Sequence, residues 1–487
     1  MAQPPNLVFF MSDSHNRDAL GCYGHPVAHT PNLDRLAARG ARFTTPYCAS
    51  PLCCPSRASI ATGRFPHQTG YWDNVLAYDG RYPSWMKRLR DHGTDVVSVG
   101  KLHYRSEEDD AGFSSEIVPM HILNGLGGLV GLLRWNDEEP RRTGHFELYI
   151  DESGPGASSY IDYDRSITAH TIEWLRERAA ATDRPFALFV SYACPHPPFQ
   201  VEQRFFDLYD PAAIPLPTQW RSEDRPRHPA VDTLREKMGF ETIDDEATLR
   251  RVLHAYYAII SHLDEQIGKV LEELEQLGLT EHTRILYTSD HGEAIGQHGL
   301  VGKGNLYETS MAVPLIMAGP GIPEGPEVTQ PVSHVDLFPT ILESFGVEPA
   351  TEDSELPGQS MWPALESKRW PRQIFGEYHA TASRFAGYML RDGTEKLIYH
   401  AGYPPQLFDL AADPDENDDL AESEPKRVAR LEAALRTILD PDAIDARAKA
   451  DQQAMVERVG GNDAIRKRGA FPFTPPPGTD PRMVEVR

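Results

Sequence analysis

Four short apolar runs in this chain are each followed at once by residues able to do chemistry. Residues 6–11 lead to Asp13. Residues 95–99 lead to Lys101 and His103. Residues 186–192 lead to Pro195-His196-Pro-Pro-Phe199, and residues 284–288 lead to Asp290-His291-Gly292-Glu293. By residue type Asp13, Asp290 and His291 suit a divalent metal. Carboxylates favour Ca2+, Mg2+ or Mn2+, and an imidazole shifts the preference toward a transition metal such as Mn2+. The alternative is that Asp290 caps a helix and His291 binds a backbone carbonyl. Arg57, Lys101 and Lys303 form a candidate clamp for an anion. Lys303 lies in the Gly-rich run 299–305, which lacks the ending of a phosphate-binding P-loop. His103 and His196 titrate near neutral pH and are candidate proton donors to a leaving oxygen. The densest stretch is Ser50-Pro-Leu-Cys-Cys-Pro-Ser-Arg57, a C-x-P-S-R pattern from Cys53 to Arg57 that runs on to Thr62-Gly63-Arg64. Taken alone, it also reads as a buried Cys pair beside a Pro-Ser turn.

The four apolar runs are near-continuous rather than alternating, which suits strands of a parallel sheet covered on both faces. In such sheets ligands bind beyond the carboxyl ends of the strands. The chemistry therefore collects at one edge of one sheet. Tyr256, Ile260, Leu263, Ile267, Val270, Leu271 and Leu274 fall at helical spacing. Residues 32–41 read as a short helix closed by Gly40. Together these predict a doubly wound α/β domain over residues 1–370. Residues 200–250, rich in Pro, Arg and acidic groups, read as a surface excursion able to act as a lid. From 371 to 440 short strands at 373–378, 386–391, 396–399 and 406–409 predict a small antiparallel sheet, followed by a helix at 425–438. Residues 441–487 read as a helix over 442–459 and an extended arm carrying Thr474-Pro-Pro-Pro-Gly478. An extended arm commonly lies across a neighbouring subunit, so the expectation is a homo-oligomer.

The 487 residues suffice for one large domain and a smaller one. A formal net charge of −24 argues against non-specific binding to nucleic acid or to an anionic membrane. It also repels an anionic substrate, which would then need a metal or a local cationic cluster. Five cysteines are too few for a disulfide framework. The start, Met-Ala-Gln-Pro-Pro, has no basic segment or cleavage site before its first apolar run. No run reaches bilayer-spanning length. The expectation is a cytoplasmic protein.

The motifs resemble the sulfatase branch of the alkaline-phosphatase-like superfamily along most of the chain. Asn6-Leu-Val-Phe-Phe-Met-Ser-Asp13 is similar to the family's first strand, and Thr30-Pro-Asn-Leu-Asp34 to the helix after it. Cys53 to Arg57 resembles its signature, Gly100-Lys-Leu-His103 its G-K-x-H, and Pro195-His-Pro-Pro198 its P-H-x-P. Ser289-Asp-His-Gly-Glu293 with Lys303 resembles its second metal segment. Gln406-Leu-Phe-Asp-Leu410 with Asp413-Pro414 resembles its C-terminal signature. The resemblance implies an alkaline-phosphatase-like fold with a mostly parallel sheet and a smaller antiparallel one. It implies that a formylglycine-generating enzyme converts Cys53 to formylglycine, and that one Ca2+ or Mn2+ ion is held by Asp13, Cys53, Asp290 and His291. It implies hydrolysis of a small-molecule sulfate ester, with the leaving alcohol protonated by His196. Arg57 and Lys101 would orient the formylglycine, Lys303 the ester oxygens, and His103 would sit beside the nucleophile.

Two departures bear on this. Many members carry consecutive acidic residues after the first strand, whereas Ser14 follows Asp13 here. Asp290-His291 stands where calcium arylsulfatases carry Asp-Asn. Choline sulfatases and phosphonate monoester hydrolases share the Asp-His pair, and Asn74 sits where they carry a substrate-facing Asn. A phosphonate monoester or phosphodiester hydrolase is therefore the rival reading. Lys101 and His103 favour sulfate, because phosphonate hydrolases of this kind usually lack them. A non-catalytic protein of the same fold is a further alternative. The alcohol half of the substrate is open, with Trp72, Tyr104, Trp220 and His379 as candidate lining.

Overall fold

The fold is known from a computed structural model, which describes residues 4–134, 147–181, 184–238, 243, 245–366 and 372–484. The expected domain boundary at 370 and 371 lies outside the described residues, as do part of the 200–250 excursion and the last three residues of the arm.

Strand β1 (Asn6–Asp13) shows why the first run is continuously apolar. Val8 and Phe10 enter one buried cluster, and Leu7, Phe9 and Met11 enter another. Side chains alternate across a strand, so both faces of the sheet are covered and both sets must be apolar. Beside it lie β2 (Gly40–Phe43), β3 (Asp95–Lys101), β4 (Ser115–Met120), β5 (Phe186–Pro195), β6 (Thr283–Ser289), β7 (Leu315–Ala318) and β8 (Glu327–Val328). They form one eight-stranded sheet in the order β8-β2-β7-β6-β1-β5-β3-β4. β7 is antiparallel to both its neighbours, and the other pairings are parallel. The doubly wound, mostly parallel sheet is as expected.

The helix after β1 is α1 (Pro31–Ala38), with Arg39 at its end. Gly40 does not close it. It opens β2, where an added Cβ would come within 2.2 Å of the Met317 carbonyl oxygen. α2 (Cys53–Thr62) is buried along its whole length and stops at Gly63, which takes a left-handed conformation with φ of 66°. α3 (Trp85–Asp91) covers one face of the sheet, while α4 (Ser159–Ala181) and α5 (Glu246–Gln276) cover the other. The predicted stripe from Tyr256 to Leu274 lies on α5.

A four-stranded antiparallel sheet follows: β9 (Gln373–Tyr378), β10 (Gly387–Asp392), β11 (Glu395–His400) and β12 (Gln406–Asp409), paired in chain order. Helix α6 (Pro425–Ile438) packs on it through Leu431 and Leu435, in a core that also takes Ala49, Phe65 and Val335 from the main body. The chain ends with α7 (Pro441–Arg458), α8 (Asn462–Arg468) and the arm. The arm lies along its own chain: Ala470 and Val484 exchange backbone hydrogen bonds of 3.4 and 2.8 Å, and Ala470 joins a core with Val75, Leu129 and Met455. The 200–250 excursion rests on the Gln297–Gly299 turn, through Gln297 to Thr218 at 3.0 Å and Arg235 to the His298 carbonyl at 2.9 Å. None of its described residues lines the cavity at Cys53. No helix of the described residues is long and apolar enough to cross a membrane.

Candidate active site

Register builds the site. β1 and β6 run in parallel with Ser12 beside Ser289, so the next residues, Asp13 and Asp290, emerge side by side. On its other flank Asp13 stands beside Pro195 of β5, and β5 in turn brings Ser191 beside Gly100 of β3. Three of the four strands extend beyond the apolar runs to reach the chemistry: β1 ends on Asp13, β3 on Lys101 and β5 on Pro195. β6 stops one residue short of Asp290.

Asp13, Cys53, Asp290 and His291 are buried, and each offers a ligand atom within 4.8 Å of the others. Cys53 Sγ lies 3.3 Å from His291 Nε2 and 3.7 Å from Asp13 Oδ1. His291 Nδ1 donates to the Gly292 carbonyl at 2.9 Å, which leaves the Nε2 lone pair facing the cluster, as in metal-ligating imidazoles. The carbonyl alternative raised for His291 is thus met by one ring nitrogen while the other remains available as a ligand. Asp290 accepts from the backbone N–H of Ser14 at 3.2 Å and of His291 at 2.9 Å. These donors fit a hard-to-borderline divalent cation. Burial pushes the unmodified Cys53 thiol up to about 12, helped by the charge of Asp13.

Cations surround these carboxylates. Arg57 donates from Nη2 to Asp13 at 3.0 Å and from Nε to Asp290 at 2.8 Å, and its Nη1 reaches the Lys101 carbonyl at 2.7 Å and Ser191 Oγ at 3.0 Å. Lys101 Nζ lies 2.8 Å from Asp13 Oδ2. Lys303 Nζ donates to Ser14 Oγ at 3.0 Å, and that hydroxyl donates to Asp13 at 3.1 Å. Ser14 thus bridges Lys303 to Asp13. Burial raises the Asp13 pKa, but Lys101, Lys303 and Arg57 outweigh it and hold the carboxyl well below its usual range. His103 and His196 are buried, and burial together with the nearby lysines keeps both neutral, well below the ordinary imidazole pKa. His196 Nδ1 donates to the Pro197 carbonyl at 2.7 Å.

A cavity of about 110 Å3 opens over Cys53, with Asn74, His103, His196 and Lys303 in its lining. Asn74 caps α2 through its side-chain oxygen, which accepts from the Cys54 N–H at 3.0 Å. Of the residues expected to line the alcohol side, Trp72, Tyr104, Trp220 and His379 do not border the cavity. Trp72 is buried with its indole N–H on Asp451 at 2.8 Å, and His379 is paired with Glu377 at 2.7 Å. The aromatic lining is Tyr149, Tyr378, Phe471 and Phe473. Neither the place of Ser191 in the site nor that of the arm in the cavity wall is legible in the sequence. Ser191 lies in an apolar run with no motif, and the arm's only signal was two phenylalanines beside a proline run.

A protein-family model described as Sulfatase matches residues 5–347, and one described as N-sulphoglucosamine sulphohydrolase, C-terminal, matches residues 296–441. Among curated relatives, a choline-sulfatase from Rhizobium meliloti is 31% identical over 86% of this chain and 83% of its own length. Arylsulfatase K from Bos taurus is 30% identical over 91% of this chain and 83% of its own. A protein solved in complex with its substrate D-glucosamine-2-N,6-O-disulfate superposes with a TM-score of 0.71 at 25% identity, over 90% of this chain and 99% of that one. The phosphonate monoester hydrolase of Agrobacterium radiobacter superposes with a TM-score of 0.70 at 24% identity, over 91% and 96%, which speaks to the fold alone. A family model spanning most of the chain, and relatives aligned over most of their own length, agree with the strand-end constellation: the chain belongs to the sulfatase family.

Proposed function

We propose that this chain hydrolyses sulfate monoesters of small alcohols, using a formylglycine made from Cys53 by a formylglycine-generating enzyme. The observation that carries the proposal is the placement of Cys53 Sγ at 3.3 Å from His291 Nε2 and 3.7 Å from Asp13, at the opening of α2. The positive end of a helix dipole favours an anion there. Asp13, Asp290, His291 and the modified Cys53 would hold one Ca2+ or Mn2+ ion, which supplies neutralising charge and acidifies a neighbouring hydroxyl. Formylglycine supplies, as its hydrate, one hydroxyl that attacks sulfur and a second whose deprotonation later expels sulfate and restores the aldehyde.

The chain's own residues do the rest. Lys303 binds the ester oxygens. Arg57 and Lys101 fix the Asp13 carboxylate, and Asn74 lines the substrate side of the cavity. The Nδ1 bond of His196 to Pro197 directs Nε2 away from the backbone. When a bound anion offsets the charge of Lys101 and Lys303, Nε2 takes up a proton and gives it to the alcohol oxygen as the S–O bond breaks. His103, neutral and with neither ring nitrogen hydrogen-bonded, accepts the proton of the second hydroxyl. All five cysteines are free, which supports a reducing, cytoplasmic compartment.

The test compares kcat/KM for an aryl sulfate and an aryl phosphonate monoester on the formylglycine-containing protein with Ca2+ or Mn2+ supplied. The sulfate should be favoured by about tenfold or more, roughly 1.4 kcal/mol in transition-state binding. Preference for the phosphonate would assign the same machinery to phosphonate or phosphodiester hydrolysis.

A further inference from the structure

The C-terminal arm walls the catalytic cavity. Phe471, Pro472, Phe473 and Thr474 all line it, together with Cys53 and Lys303. The segment is held at three points. Tyr160 of α4 donates its hydroxyl to the Thr474 carbonyl at 2.8 Å. Its ring meets Phe473 edge-on at 5.1 Å between centroids. The Ala470–Val484 bridge closes the loop behind them. Tyr160 also touches the catalytic machinery, with its ring 5.6 Å from that of His196 and 5.4 Å from the Lys101 ammonium. One buried side chain therefore touches the arm, His196 and Lys101 at once.

We infer that Phe471 and Phe473 are specificity-determining residues that select the alcohol half of the substrate, favouring an uncharged aromatic alcohol over a polyanionic sugar. The inference rests on the sulfate-ester reading above. An aromatic guest gains from apolar contact and from edge-on or offset stacking against two phenyl rings. Leu52, Val75 and Ile122 line the same cavity and add apolar contact for an aromatic ring. A second sulfate would have to be taken out of water against phenyl groups, with the molecular charge of −24 opposing it. Tyr160 is a positioning residue in this scheme, since it sets where the wall stands.

The experiment uses the full-length modified protein and two esters, 4-nitrophenyl sulfate and D-glucosamine-2-N,6-O-disulfate. The wild type should prefer the aryl ester. In the double variant Phe471→Ala/Phe473→Ala, KM for 4-nitrophenyl sulfate should rise about tenfold with kcat within roughly threefold, because uniform binding is lost and not the chemistry. Tyr160→Phe, which keeps the ring and removes only the bond to the arm, should raise the same KM by roughly threefold, and it carries the test if the double variant fails to fold. Calorimetric binding of 2-naphthol reads the wall apart from catalysis. An inactive wild type that binds 2-naphthol, with binding lost in the variants, would sink the sulfatase reading while supporting the wall. An active wild type whose KM is unmoved in both variants, or one that prefers the disulfated sugar, overturns the inference.

Discussion

Arg57 shows how much one side chain does here. Its planar fork spans Asp13 and Asp290 at once, a bidentate role that an ammonium cannot copy. Arg57→Lys is therefore expected to lower kcat/KM by about a hundredfold or more, the scale of losing one aligned donor in a closed site. Steady-state kinetics checks this. His196 carries a different signature. A general acid matters most when the leaving alcohol is a poor one, so His196→Asn should cost on the order of 10²–10⁴-fold in kcat for an alkyl sulfate. The loss should be far smaller for 4-nitrophenyl sulfate. Equal losses on both esters would remove His196 from the proton transfer.

Among the elements, the second sheet is joined to the main body by buried charge. Lys396 of β11 lies 2.8 Å from both Glu308 and Glu416. Lys396→Met leaves two carboxyl groups together in a dry setting, and the expected loss is about 3–5 kcal/mol of unfolding free energy, read by denaturant titration. Glu377 of β9 makes a second joint. It accepts from His67 Nδ1 and the His67 backbone N–H at 2.8 and 2.9 Å, and from His379 at 2.7 Å. Burial raises its pKa, but His67 and His379 outweigh that and hold it at about 2. A depressed carboxyl pKa stabilises the fold above the unfolded value and loses that contribution as pH falls through the folded value. The gap in Tm between wild type and Glu377→Gln should thus be full above about pH 4.5. It should close as the pH approaches 2. A gap that does not change over that window would rule the linkage out.

At the scale of the whole molecule, the candidate metal ligands come from β1, α2 and the turn after β6, so a cation bound there ties distant parts of the chain together. Binding to the folded state alone adds about 2.7 kcal/mol at a hundredfold excess over Kd. Chelation should lower Tm, and Ca2+ or Mn2+ should restore it. Asp290→Asn should abolish most of that response. An unchanged Tm across chelation and refilling would count against the cation.

The sequence by itself determined the sheet, its strands and the residues at their carboxyl ends, because a strand buried on both faces must be apolar throughout and chemistry must follow where it ends. It also determined the second sheet, through its four short strand runs between 373 and 409. Only the tertiary structure decided what lies around that constellation. Gly40 opens a strand because the Met317 carbonyl crowds its Cα, a contact set by a segment almost 280 positions away. Ser14 bridges Lys303 to Asp13 because two loops distant in sequence meet there. Trp72 and His379 turn away from the cavity because Asp451 and Glu377 hold their ring nitrogens. The wall of the cavity comes from the arm because Tyr160, over three hundred residues earlier, holds the Thr474 carbonyl. Periodicity and motif spacing report what a segment needs from its own neighbourhood. Which distant segment satisfies that need is decided by packing, and it is packing that shapes the cavity over Cys53.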